Sequence, residues 1–262
     1  MLHFFRNIRK KLIIQENVRK YLLYAVGEIL LVVIGILIAL QINNWNEAKK
    51  EQKREIAYLE RLSENLTGDL RNLDLNIEFY TQVFNYGQLA LAYSEGNTID
   101  DAANWDILVA LFHSSQIWPL IPSPTTYEEL KSAGELSLIR SIDLRNDLVF
   151  YYGGGIDRYN QTIGINPPYR KMVRGLIPTQ TQNYLWEHCH ITDGDTQILT
   201  GCDPALSEEK AKEVIEFLVK QPELMSELRF YMSSIKVGLD PLLEQKKLCE
   251  KMLREIALTL KE

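Results

Sequence analysis

One stretch of the sequence concentrates side chains that could do chemistry. It runs from residue 186 to residue 202 and reads WEHCHITDGDTQILTGC. Two histidines and two cysteines could bind zinc, and the candidate ligands are His188, Cys189, His190 and Cys202. The first three are consecutive, however, and the stretch has no CxxC pair, so the spacing is a poor match to a zinc site. We therefore predict no metal and no cofactor.

A disulfide is the better interpretation of these two cysteines, provided that the stretch lies in an oxidising compartment. Between them stands Asp193-Gly194-Asp195, a sequence typical of a turn, which would bring Cys189 and Cys202 together. Two unpaired thiols are the alternative. The third cysteine, Cys249, falls in a helical pattern of apolar residues, and we interpret it as buried and reduced.

The rest of the sequence lacks the common catalytic signatures. It contains no phosphate-binding GxxxxGK(S/T), no GxGxxG, no GxSxG and no HExxH. The run Gly153-Gly154-Gly155 predicts a flexible helix break. Glu128 and Glu129 fit capping boxes with Thr125 and Thr126. We predict that the protein is not an enzyme, and an undetected metal-dependent enzyme stays open as an alternative.

Composition limits the class of protein that must position these residues. The chain has 262 residues, of which 46% are hydrophobic and 24% are charged, as in an ordinary folded protein of one or two domains. The net charge of −6 offers no basic face for nucleic acid. We expect no nucleic-acid partner.

An apolar segment from Tyr21 to Ile42 indicates the cellular compartment of the protein. At about 1.5 Å per residue it is long enough to span a hydrocarbon core of about 30 Å. Its fourteen Leu, Ile and Val residues contribute about −4 to −8 kcal/mol to insertion, against about +3 kcal/mol for Glu28. Ala39 is followed by Leu40 and Gln41, which is not a small-x-small cleavage site. We therefore predict a retained transmembrane helix, with a cleaved signal and a soluble core helix as alternatives.

The flanking charges favour one orientation of this helix. Residues 1–20 form a short basic tail that is hard to move across a membrane, whereas a long domain is translocated largely regardless of its charge. We predict that the N-terminus is cytoplasmic and that the chain after the helix is extracytoplasmic.

Small residues in the membrane segment could support helix association. Gly27, Gly35 and Ala39 lie roughly on one face, and Gly35 and Ala39 form a small-xxx-small pattern. Glu28 is one position away from this face and could hydrogen-bond across such an interface. The equally open alternative is that the glycines have no such role and that Glu28 reaches toward the membrane surface.

Three blocks of the sequence resemble a known family. They read MLHFFRNIRKKL at the start, YAVGEILLVVIGILIALQINNWNEAKKEQ across the apolar segment, and TTYEELKSAGELSLIRSIDLRNDLVFYY from residue 125. In this order and wording, the chain resembles an uncharacterised domain-of-unknown-function family of bacterial single-pass membrane proteins. The resemblance implies the inner membrane of a Gram-negative bacterium and a helical periplasmic portion, and it implies no activity. Residues from about 164 to 220 match no pattern of that family.

Beyond the membrane segment, apolar residues repeat at helical spacing. They predict a helix from about residue 46 to residue 93, with bends at Gly68 and Gly87 and a stripe formed by Leu66, Leu70, Leu73, Ile77, Tyr80 and Phe84. Later helices of this chain, or a second copy, must cover the stripe. Residues 222–262 also show helical spacing, with a break or kink expected between Gly238 and Pro241.

These patterns predict an all-α fold. A transmembrane helix is followed by a long helix, which packs on the C-terminal helix of an elongated extracytoplasmic bundle. The predicted divisions are a basic cytoplasmic tail at 1–20, the transmembrane helix at 21–42, the membrane-proximal helix at 43–95 and a helical extracytoplasmic domain at 96–262.

The predicted function follows from the predicted location and fold of the protein. We expect a membrane-anchored interaction or scaffolding component whose partners are the lipid bilayer and either a second copy or another membrane protein. An extracytoplasmic ligand-sensing module that signals through a partner is the main alternative.

Overall fold

The computed structural model describes residues 18–97, 102–163, 166–194 and 196–261. The all-α fold is confirmed, since 80% of the protein is helical and 3% is strand. The α-helices are α1 Val18–Ser94, α2 Asn104–His113, α3 Thr125–Ser132, α4 Ile142–Phe150, α5 Ile156–Ile163, α6 Pro168–Leu176, α7 Thr179–His188, α8 Glu208–Val219 and α9 Pro222–Thr259. The remaining elements are a 3-10 turn Leu136–Leu138, a π-helix Tyr151–Gly155, and the strands β1 His190–Asp193 and β2 Thr196–Leu199.

Helix α1 contains both the apolar segment and the long helix predicted after it. The chain divides into two compact units after Ile56, and α1 is uninterrupted at Gly68 and Gly87, where we expected bends. In the first unit the apolar side chains from Leu22 to Ile42 are exposed. Among the described residues, one helix is long and apolar enough to cross a membrane, with a mean hydropathy of 2.6 and none of its most apolar window buried.

The buried face of α1 in the second unit differs in part from the predicted stripe. Its members follow steps of three and four residues: Leu59, Leu62, Leu66, Asp69, Leu73, Asn76, Tyr80, Val83, Gly87 and Ala90. Half of the predicted stripe lies on this face, whereas Leu70, Ile77 and Phe84 are only partly buried. The buried face is rotated relative to the predicted stripe because Asp69 and Asn76 occupy core positions. Polar groups from distant segments surround Asp69, and Asn76 lies beside a pocket.

Helix α9 covers this face in the antiparallel direction, which confirms the predicted packing. The Cys249 thiol donates to Leu66 O at 3.2 Å. Toward the other end of the contact, Arg229 Nε donates to Glu95 Oε1 at 3.3 Å. The stripe is therefore covered within the chain.

Two local predictions are wrong. Helix α3 begins at Thr125, so neither Thr125 nor Thr126 is its N-cap, and Glu129 pairs with Arg61 of α1 instead. Helix α9 continues through Pro241 without the expected break. A proline inside a helix costs about 3 kcal/mol, but α9 packs on α1 on both sides of this position, and the apolar burial offsets that cost.

Gly87 lies where α1 meets α9 with no room for a side chain. A Cβ atom there would overlap the buried side chain of Met232, whereas a Cβ atom at Gly68 would meet nothing within 4 Å. Both alanine variants gain similar helix propensity. We therefore expect Gly87→Ala to be less stable than Gly68→Ala by about 1 to 3 kcal/mol, the usual cost of overpacking.

Urea unfolding of the two detergent-extracted variants, followed by circular dichroism, measures this difference. Equal free energies of unfolding would show that α9 does not approach α1 at Gly87.

Candidate functional site

The chemically dense stretch forms a short hairpin that a disulfide closes. Cys189 caps the end of α7, and β1 then pairs antiparallel with β2. Gly194, between the strands, has a φ of 54°, which favours glycine. The structure joins Cys189 to Cys202 with their Cα atoms 4.9 Å apart, within the range that a disulfide requires. The strand pairing itself was not predicted, because four-residue strands leave little alternation to detect.

Contacts from α1 and α2 hold this loop on the helical core. Leu199 N–H donates to the Gln82 side-chain oxygen at 3.1 Å. The Trp105 indole N–H donates to Cys202 O at 3.0 Å. These bonds satisfy backbone groups of an irregular segment, so the loop is docked rather than free.

The four candidate metal ligands are engaged in other contacts. The His188 ring stacks on Tyr184, and its Nδ1 lies 3.1 Å from Tyr184 O. His190 Nε2 contacts the Gln197 amide across the hairpin. The two cysteines are joined to each other. Among the described residues, no group of three or more His, Cys, Asp and Glu side chains is arranged to hold a metal ion.

His113 is a buried residue of this region that the sequence reading missed. It is fully buried at the end of α2, and its Nε2 lies 3.1 Å from Thr200 O in the disulfide loop. Because a carbonyl only accepts, Nε2 carries the proton. Burial lowers the pKa of His113 to about 4, so the ring is neutral near pH 7. A titratable residue ending the apolar run ILVALFH was the available signal.

A buried carboxylate joins α1 to the segment before α3 and to the π-helix. Asp69 Oδ1 accepts from Ser123 N–H at 2.7 Å, and Asp69 Oδ2 accepts from the Tyr152 hydroxyl at 3.0 Å. Burial raises the pKa of Asp69, and these hydrogen bonds act against that rise. Within the π-helix, Gly154 has a φ of 138°, which is not helical, so the chain is kinked where the glycine break was predicted.

The burial predicted for Cys249 is confirmed. Its thiol is enclosed between α9 and α1, and burial raises its pKa to about 12. The thiolate is the reactive form of cysteine, so this thiol is chemically inert at neutral pH.

A pocket of about 260 Å³ opens beside Asn76. Its lining residues carry no charge and are Asn72, Leu75, Asn76, Trp118, Pro119, Ile121 and Gly194. Asn76 is 2% exposed, and its Oδ1 has no hydrogen-bond partner. The uncharged lining suits water or a small neutral molecule.

The residues predicted to associate within the membrane lie on the exposed part of α1. Gly27, Gly35 and Ala39 are exposed, and a Cβ atom added at either glycine would meet nothing within 4 Å. Glu28 is partly buried. Their role in association stays a prediction.

Fold and site define an all-α protein with one helix that could cross a membrane and with a disulfide-closed hairpin docked on its helical core. The chain belongs to a family of unknown function, DUF6090, whose model matches residues 28–164. The matched range includes the buried face of α1 and the π-helix, and it ends before the disulfide loop. No curated protein and no solved structure matches the chain.

The burial of His113 predicts that stability depends on pH. Its pKa is about 4 in the folded state against an ordinary 6.5, so the unfolded state binds more protons between these values. The free energy of unfolding should therefore fall as the pH is lowered from 6.5 to 4, by up to about 3 kcal/mol.

Urea unfolding at pH 7 and pH 4.5 measures this loss. We expect His113→Gln to lose less stability on acidification than the wild type, while the exposed control His188→Gln behaves like the wild type. An unchanged pH dependence in His113→Gln would contradict the assignment.

Proposed function

We propose that the protein is a single-pass membrane protein that holds a helical domain outside the cytoplasm, as an interaction or scaffolding component of a membrane complex. The exposed apolar stretch of α1 carries this proposal. Leu23 and Leu31 are 67% and 69% exposed, and their neighbours along the segment are similarly uncovered. An uncovered apolar surface of this length matches the hydrocarbon of a bilayer and is costly in water.

Two further observations support the extracytoplasmic location of the helical domain. The disulfide between Cys189 and Cys202 is suited to an oxidising compartment such as the periplasm. The basic residues before the apolar segment favour a cytoplasmic N-terminus, because short basic tails resist translocation. The inner membrane of a Gram-negative bacterium is the location that agrees with both.

The membrane helix supplies the surface for association in this proposal. Without a hydrophobic driving force in lipid, helices associate through close packing of small residues. Gly35 and Ala39 leave room for the backbone of a second helix, which belongs to another copy or to a membrane-protein partner.

Gly35→Ile tests this association. The added side chain should block close packing, so crosslinked oligomer or partner complex from intact membranes should fall severalfold. Val33→Phe adds bulk on roughly the opposite face and is the matched control, for which we expect wild-type yield. Unchanged crosslinking in Gly35→Ile, with the protein still in the membrane fraction, would rule out this interface.

Ligand sensing is a second candidate function, and the pocket beside Asn76 is the observation that favours it. Its uncharged lining would take a small neutral molecule rather than an ion.

A further inference from the structure

Two arginines of α6 lie side by side. Arg170 and Arg174 are about one helical turn apart, and both are partly buried. Within the described part of the chain, their hydrogen bonds go to Ser115 and Gln116, and no carboxylate pairs with either guanidinium. Burial lowers the pKa of both groups, and the charge of Arg170 helps to bring the pKa of Arg174 to about 9. Two adjacent, partly buried cations that have no carboxylate partner among the described residues are unfavourable.

The two guanidinium groups converge on the segment that follows α2. Arg170 Nη1 donates to Ser115 O at 2.7 Å, and Arg174 Nε donates to Ser115 Oγ at 3.2 Å. The Gln116 side-chain oxygen accepts from Arg174 Nη2 at 2.9 Å and from Arg170 Nη1 at 3.5 Å. One amide oxygen therefore holds both cations together.

Gln116 adds an unused donor to this cluster. The residue is 1% exposed, and its Nε2 has no hydrogen-bond partner. In the opposite amide orientation, the Nε2 donor would face the guanidinium donors. The hydrogen bonds from the arginines therefore require the observed orientation. A buried N–H donor without an acceptor thus stands beside two positive charges.

Aromatic rings restrict one of the two cations. The Arg174 guanidinium lies 5.1 Å from the Phe112 ring centroid and 4.9 Å from that of Trp186. The two rings are nearly perpendicular to each other, so they confine the Arg174 guanidinium from two sides. The site is therefore ordered before any ligand arrives, which lowers the entropic cost of binding.

We propose that Arg170, Arg174 and Gln116 form a binding site for a dianionic oxyanion, of which a phosphoryl group is the best match. Two guanidinium charges balance a dianion, whereas a single carboxylate would leave one positive charge uncompensated. The planar forks of arginine suit the oxygens of phosphate, and the Gln116 side-chain oxygen holds the two forks together. This inference is independent of the proposed membrane role.

Thermal unfolding of the detergent-extracted full chain tests the site. Inorganic phosphate, sulfate, acetate and chloride are compared at equal ionic strength and pH 7.5. At ten times the Kd, we expect phosphate and sulfate to raise the Tm by about 3 to 6 °C over chloride, and acetate to raise it less. A shift with phosphate no larger than that with chloride would overturn the proposal.

Calorimetric titration with phosphate locates the binding. Arg170→Gln should weaken binding at least tenfold, Arg170→Lys should weaken it less because the charge is kept, and the exposed control Arg229→Gln should bind like the wild type. Wild-type affinity in Arg170→Gln, with circular dichroism unchanged, would overturn the assignment. Titration with glycerol 3-phosphate separates two sources within the proposal, since tighter binding indicates a phosphate ester and equal binding indicates free phosphate.

Discussion

The antiparallel contact between α1 and α9 is the constraint on which the rest of the second unit depends. These are the longest helices, and their shared face forms one side of the core. Segments that lie far apart in sequence attach to polar side chains on that face or next to it. Asp69 holds Ser123 and Tyr152, and Gln82 holds Leu199 of the hairpin. Displacement of α1 would therefore release several connections at once.

The polar residues in the buried face of α1 have an energetic cost and a structural consequence. A buried carboxylate or amide is less favourable than a leucine at the same position unless its hydrogen bonds are complete. Asp69 has two such partners, whereas Asn76 keeps an unpaired oxygen beside a pocket. Our hypothesis is that Asp69 sets the register of α1 against the later segments and that Asn76 is retained for what enters the pocket. Asn76 would then lower stability, and Asp69 would contribute specificity.

Much of the fold followed from periodicity and turn chemistry. The sequence predicted the helical class, the α1–α9 packing and the pairing of two cysteines around a glycine turn. Each of these depends on nearby residues or on one repeated spacing. The rotation of the α1 face could not be predicted from the sequence, because the partners of Asp69 are the distant residues 123 and 152. The sequence did not single out the pair Arg170 and Arg174, for the same reason. What buries them is the segment after α2, whose position only the tertiary fold determines.

The state of the cysteines in cells tests the central claim, a disulfide-stabilised helical domain outside the cytoplasm on a membrane helix. In the chain-entropy model, closing a loop of this length stabilises the fold by about 3 kcal/mol, but only in an oxidising compartment. Thiols are alkylated in intact cells and again after denaturation, and the membrane fraction is then mapped without reductant. We expect a linked Cys189–Cys202 peptide and Cys249 alkylated only after denaturation. Recovery of Cys189 and Cys202 as separate alkylated thiols would contradict both the disulfide and the compartment.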